Sequence, residues 1–308
     1  MPARSDRSLR VLVVANQKGG VGKTTTAHSL GAACALAGLR VLLVDLDPQA
    51  CLTYSLGLDP ETTSPNLHEA IAGRVPAAEV LVRVGDLSVL PASIDLATSE
   101  IQLLTRTGRE YALARALEPI AGGFDLVLID CPPSLGILTI NGLTAADAVL
   151  VPLQCEYYAL EGLSRLAETI TRIQEGFNDK LRVAGVLLTM YDPRSNLARE
   201  VADEVRKHFH VYETVIPRNV RLAEAPSYGM PGVAFDASKM TFSNDVYAKV
   251  ATALPDSVLR AFAITADGPN GSVLYRVMIQ SQKGGQFAVL VDPKGKILGS
   301  DPLTGPTS

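Results

Sequence analysis

Apolar and polar positions follow two rhythms along this chain. Short apolar runs lie within residues 9–15, 40–45 and 124–130, and those in the last two, Val-Leu-Leu-Val and Leu-Val-Leu-Ile, each end in an aspartate. A run without alternation has no wet face, which is the pattern of a strand in a parallel sheet covered by helices on both sides. Further strands are predicted at 87–90, 148–153, 183–188 and 212–216. Helical spacing over 23–36, 97–120, 135–145, 159–175 and 196–209 fills the gaps between strands, and Gly38 stands where the first helix needs a C-terminal cap. The alternation predicts an α/β fold, a doubly wound and mostly parallel sheet that takes its ligand at the carboxyl ends of the strands. The rhythm then changes. A helix-like stretch at 245–253 meets Pro255, and from about Ser257 the chain turns β-like, with runs at 273–280, 286–291 and 296–298 between Gly-rich and Asp-Pro-Lys-Gly turns. The predicted division is an N-terminal tail at 1–9, one large domain at 10–254 and a small β-rich C-terminal extension at 255–308.

Composition narrows the class. With 308 residues, 47% of them hydrophobic, the chain can bury a large core. No apolar run approaches the length of a membrane span, and the arginines before residue 11 are not followed by the apolar core of a signal peptide, so a cytoplasmic protein is expected. Cys34, Cys51, Cys131 and Cys155 form no Cys-x-x-Cys pair and read as reduced, mostly buried side chains. A net charge of −4 excludes a strongly basic nucleic-acid binder but not a local basic patch.

The first strand runs into Asn16-Gln-Lys-Gly-Gly-Val-Gly-Lys-Thr-Thr-Thr26, and a helix leaves it. Strand, glycine loop and helix in that order make a phosphate-binding loop. Gly19, Gly20 and Gly22 let the backbone curl with its N–H groups inward, Lys23 reaches the β- and γ-phosphates, and the Thr24 hydroxyl ligates Mg²⁺. A second lysine, Lys18, makes this loop unusual: an added cation there is costly to order unless another polyanion neutralises it. Gln282-Lys283-Gly284-Gly285 repeats four letters of the loop, but no Gly-Lys-Thr comes after it and β-like runs flank it, so it reads as a hairpin turn. Two strand-end acids suit a magnesium triphosphate. Asp130 closes Leu-Val-Leu-Ile-Asp and fits the Walker B position, whereas Asp45 and Asp47 in Asp-Leu-Asp-Pro-Gln are not told apart by spacing, because the chain turns before Pro48.

Lys-Gly-Gly-x-Gly-Lys-Thr-Thr resembles the deviant Walker A loop of the ParA/MinD ATPases, in which the first lysine contacts nucleotide across a dimer interface. The segments Val151-Pro-Leu-Gln-Cys-Glu-Tyr-Tyr-Ala-Leu-Glu-Gly162 and Ile216-Pro-Arg-Asn-Val-Arg-Leu-Ala-Glu-Ala-Pro-Ser227 extend the likeness to chromosomal ParA/Soj partition ATPases, over roughly residues 10–236. The resemblance implies ATP and Mg²⁺ as cofactors, with residues 18–25 around the nucleotide, Val21 and Thr25 included, and Thr25 at the α-phosphate. It gives the water-positioning role to Asp47, puts Asp45 in the metal shell, and places Pro217 and Asn219 by the base. It further implies an ATP-bound sandwich homodimer on the nucleoid, non-specific double-stranded DNA binding, and a ParB-type partner that stimulates hydrolysis in chromosome or plasmid segregation. For DNA, residues 205–221 hold Arg206, Lys207, Arg218 and Arg221 against Glu213, a modest patch that a dimer presents twice.

Competing readings share the loop. A MinD-like positioning ATPase would end in a basic amphipathic helix, whereas this tail alternates like strands, so no membrane partner is expected. A nucleotide-locked DNA-binding scaffold with little turnover is the non-enzyme alternative. An amidating ligase would need a second substrate pocket, and an iron-protein reductase would need paired cluster cysteines.

Overall fold

The computed structural model describes residues 11–232 and the backbone of four later strands at 257–265, 274–281, 286–291 and 297–302. Two compact units result, Met1–Pro231 and Gly232–Ser308.

The first unit opens with β1 (Val11–Val14), α1 (Lys23–Leu36) and β2 (Val41–Asp45), the two strands buried along their whole length. Three short helices follow, α2 (Cys51–Ser55), α3 (Leu67–Ala72) and α4 (Ala77–Val80). Then come β3 (Val82–Val84), β4 (Leu87–Leu90), α5 (Leu96–Leu104), α6 (Ala112–Ala121), β5 (Leu126–Asp130), α7 (Ile137–Ala145) and β6 (Ala148–Gln154). The unit closes with α8 (Ala159–Gly176), β7 (Arg182–Tyr191), α9 (Asn196–Arg206), β8 (Ile216–Pro217) and α10 (Val220–Glu224). The sheet order is β3-β4-β2-β5-β1-β6-β7-β8, parallel throughout except for the short antiparallel edge strand β3. This is the doubly wound α/β sheet that the unalternated runs predict. β1 lies between β5 and β6, so the loop leaving its carboxyl end runs between the segments that leave Asp130 and Gln154.

Helices cover both faces because their apolar residues recur at helical spacing. On α9, Ala198, Val201, Ala202 and Val205 are buried while the charged residues face outward. Close packing governs the small positions: a Cβ on Gly31 of α1 would lie 2.6 Å from Leu43 Cδ2, so α1 can approach β2 only through a glycine.

Three expectations are corrected. The helix expected over 97–120 is two helices, because Gly108 turns left-handed (φ +64°) and starts a 3₁₀ turn at Arg109–Tyr111 that redirects the chain. The strand expected over 212–216 is only Ile216–Pro217, with an isolated bridge between Val186 and Val211 before it. Cys51 is exposed and Cys34 half-buried, so only Cys131 and Cys155 are core thiols, all four being free.

In the second unit β9 (Ser257–Thr265), β10 (Leu274–Ser281), β11 (Gln286–Val291) and β12 (Ile297–Pro302) form one antiparallel sheet in the order β12-β11-β10-β9. One strand more than the three predicted runs is present, β9. The Gln282–Gly285 copy of the loop lies outside the described residues, but it joins antiparallel neighbours in which Gln280 pairs with Gln286. The helix-like stretch at 245–253 also lies outside them.

Candidate active site

The loop after β1 is tied down before it curls. Asn16 donates its side-chain amide to Pro152 O at 2.7 Å and accepts from Lys18 N at 3.0 Å, anchoring the loop to β6. Gly20 (φ +72°) and Gly22 (φ +84°) then adopt left-handed backbone, and Gly22 is the N-cap residue of α1. Between them Val21 is buried and its carbonyl accepts from the Thr189 hydroxyl of β7 at 2.8 Å. The curl thus ends at a helix N-terminus, where free N–H groups and the helix dipole favour an anion.

The two lysines behave differently. Lys23 is buried, and its ammonium crosses the loop to donate to Lys18 O at 3.1 Å. Burial holds its pKa below the usual lysine value, opposed by the charges of Asp130 and Asp47. Lys18 points outward and pairs with Glu156, just beyond the end of β6. Thr24 and Thr25 open α1 half-buried, and Gly19 faces Pro133, to which an added Cβ would come within 3.8 Å.

Three carboxylates gather at adjacent strand ends, and Asp45 and Asp130 are direct partners in the β2–β5 register. Asp45 Oδ2 accepts from Thr53 N and Thr53 Oγ1, each at 2.7 Å, and its Oδ1 accepts from Asp47 N at 3.2 Å. Burial pushes Asp45 up to about 6 despite these bonds. Asp47 Oδ1 accepts from Gln49 N at 2.9 Å, and its carbonyl accepts from Ala50 N at 2.8 Å, a turn that forces Ala50 into left-handed backbone (φ +52°). A β-carbon in that region is strained, and the strain sits in the segment carrying the acid.

Asp130 is the anomaly. Both its oxygens are buried without a hydrogen-bond partner. Burial, then the Asp45 charge, raise its pKa well above the carboxylate range, while the Thr24 hydroxyl and the Lys23 ammonium work against that rise. The Thr24 hydroxyl is thus near enough to favour the ionised form without completing a hydrogen bond. A buried carboxylate with open lone pairs beside a threonine hydroxyl is the donor set of a hard divalent cation.

The other expected residues lie elsewhere on the unit. Pro217 ends β8, with Arg218 and Asn219 following it, all exposed, and Arg221 lies on α10. At the end of α9, Arg206 pairs with Asp203 at 2.9 Å and Lys207 with Glu204 at 2.6 Å. Two of the expected basic residues are therefore locally neutralised. Sequence reasoning missed four supporting residues. Asn16 and Glu156 stand inside the motifs that carry the family likeness, but Thr53 and Thr189 have no sequence signal, since only the fold brings them to Asp45 and the loop.

Fold and loop together define a P-loop nucleotide-binding α/β protein. Residues 9–183 match the family described as AAA domain. The chain is 48% identical over 231 residues to the chromosome partitioning protein ParA of Myxococcus xanthus, covering 74% of this chain and 82% of the relative. It is 49% identical over 231 residues to the sporulation initiation inhibitor protein Soj of Bacillus subtilis, covering 74% and 91%. Among solved structures it is similar to a Mycobacterium smegmatis protein described as cobyrinic acid a,c-diamide synthase with bound ATP analogue and magnesium (48% identity, 75% and 96% coverage, TM-score 0.65). The chain belongs to the ParA/Soj family of chromosome-partitioning P-loop ATPases.

Proposed function

We propose that this chain is a Mg-ATP-dependent switch for chromosome or plasmid segregation: it dimerises around two ATP molecules, binds DNA without sequence preference in that state, and hydrolyses ATP when a ParB-type partner engages it. The observation that carries the reading is the division of labour between the lysines. Lys23 is buried across the loop, whereas Lys18 faces outward in an exposed pair with Glu156, a position from which it can be drawn to a neighbour's triphosphate.

ATP would lie with its phosphates along Lys18–Thr25 and its base by Pro217 and Asn219. Mg²⁺ would be held by Thr24 and by Asp130, whose orphaned carboxylate fits it, and would supply positive charge against the triphosphate. Asp45 contributes to the metal shell from behind, by fixing Thr53 and the Asp47 amide. Asp47 orients the attacking water; Lys23 and the loop N–H groups stabilise charge developing on the phosphoryl oxygens, and Lys18 adds to this from the partner subunit. DNA would meet Arg218 and Arg221, with Arg206 and Lys207 joining once their acidic neighbours release them. Among the described residues no helix is long and apolar enough to cross a membrane.

The experiment is Lys18→Ala. ATP should still bind the monomer with near-normal affinity, while light scattering detects no ATP-dependent dimer; a dimer of normal affinity in the variant overturns the reading. The name of the Mycobacterium smegmatis structure raises a second reading, amide formation on a corrinoid acid. Glutamine-dependent amidation of such a substrate by the purified protein would establish it in place of the first.

A further inference from the structure

We propose that a cavity between α3 and α5 binds a small organic phosphate, at a site that shares no residue with the nucleotide loop. The cavity measures about 290 Å³ and is lined by Arg74, Ser99, Gln102 and Arg106 over an apolar floor of Ile71, Ala72 and Leu103. Among the described residues no carboxylate lines it, so its walls carry two uncompensated guanidinium charges.

The hydrogen-bond pattern leaves donors to spare. His68 Nε2 faces the Arg74 guanidinium, which has only donors, so Nε2 is the acceptor. The proton therefore sits on Nδ1, which donates to Ser99 Oγ at 2.6 Å. Ser99 is buried, and its own O–H is not used by this histidine. Arg106 gives one N–H to Ile71 O at 3.2 Å and keeps the rest of its fork. Two forks, a hydroxyl and the Gln102 amide together offer more donors than the roughly four lone-pair sites of a carboxylate can accept. A tetrahedral phosphate matches that surplus, and guanidinium forks bind it in bidentate fashion. The floor accommodates an organic remainder, and the volume exceeds what one phosphate fills. The ligand class is therefore a phosphate ester with a compact apolar or flat body.

The test is a nitrogen-15 NMR titration of the full chain kept saturated with ADP and Mg²⁺, so that the loop after β1 is filled. The probes are phenyl phosphate, inorganic phosphate and benzoate at constant ionic strength. Phenyl phosphate should give saturable shifts of amides in α3 and α5, inorganic phosphate weaker ones, and benzoate none that saturate. Arg106→Gln removes one fork and Gln102→Glu adds a negative charge; both positions are exposed, so both variants should fold, and each should weaken phenyl phosphate binding by at least about tenfold. Absence of saturable shifts, shifts that persist in both variants, or benzoate binding as tightly as phenyl phosphate each overturn the proposal.

Discussion

If Lys18 must leave Glu156 to reach the nucleotide of a second subunit, that ion pair opposes dimerisation, and Glu156→Gln should strengthen it. The size follows from exposure: the Lys18 side chain is 35% accessible and that of Glu156 49%, so the pair belongs with surface salt bridges, each worth about 0.2–1 kcal/mol. A symmetric dimer breaks two of them, and removing that penalty should tighten the ATP-bound dimer by about 0.4–2 kcal/mol, or roughly 2- to 30-fold in Kd. Sedimentation equilibrium with a slowly hydrolysed ATP analogue measures this directly. Added salt should narrow the gap between wild type and variant, because the exposed pair is screened. ATP affinity of the monomer should not change, since the Lys18 side chain points outward to Glu156 while that of Lys23 crosses the loop. An unchanged or weaker dimer in Glu156→Gln would refute the reasoning, for it would mean that Glu156 itself supports the interface or that Lys18 never leaves it.

Asp47→Ala should remove nearly all phosphate release while sparing ATP binding and leaving the ATP-bound form trapped on DNA; normal turnover in a phosphate-release assay would take Asp47 out of the mechanism. Burial lowers His28 to about 4, so protons bind the unfolded chain before the folded one and stability falls as pH drops below the ordinary histidine value of about 6.5, by about 2 kcal/mol between pH 7 and pH 5. Asp45 and Asp130, both raised, act in the opposite direction, so urea unfolding should compare wild type with His28→Gln, and equal pH slopes would contradict the assignment. Gly142→Ala would set its Cβ 2.9 Å from Cys131 Sγ and 3.3 Å from both Leu46 Cδ2 and Val13 Cγ2. Overpacking of about 1–3 kcal/mol should outweigh the helix propensity gained, so Tm should drop by several degrees, and an unchanged or higher Tm would show that the packing yields there.

Local features of the chain were legible in its sequence. The glycine loop announces itself because φ above zero and close anion approach demand glycine, and both Gly20 and Gly22 are left-handed in the structure. The apolar runs before Asp45 and Asp130 mark central strands because a strand buried on both faces has no polar position to show. Pairing across the fold was not legible. Lys18 and Glu156 are 138 residues apart, and Thr189 meets Val21 across 168, so no spacing rule reaches them. The short helices α2, α3 and α4 were missed because one or two turns carry too little periodicity to register; only the Asn66–Glu69 capping box at the start of α3 left a readable trace.

The basic patch shows how a window can mislead. Counting charge from residue 205 to 221 stops just short of Asp203 and Glu204, the acids that stand three positions before Arg206 and Lys207 on the same helix face. Charge on a helix has to be counted along its face rather than along the chain. By that count α9 ends nearly neutral, and the weight of any DNA contact moves to Arg218 and to Arg221, beyond β8. The same rule separates the two lysines of the loop: five residues apart in sequence, one is surrounded by strand-end acids and buried, while the other reaches a glutamate at the rim. In the function proposed above, the first serves the subunit's own phosphates and the second those of another subunit.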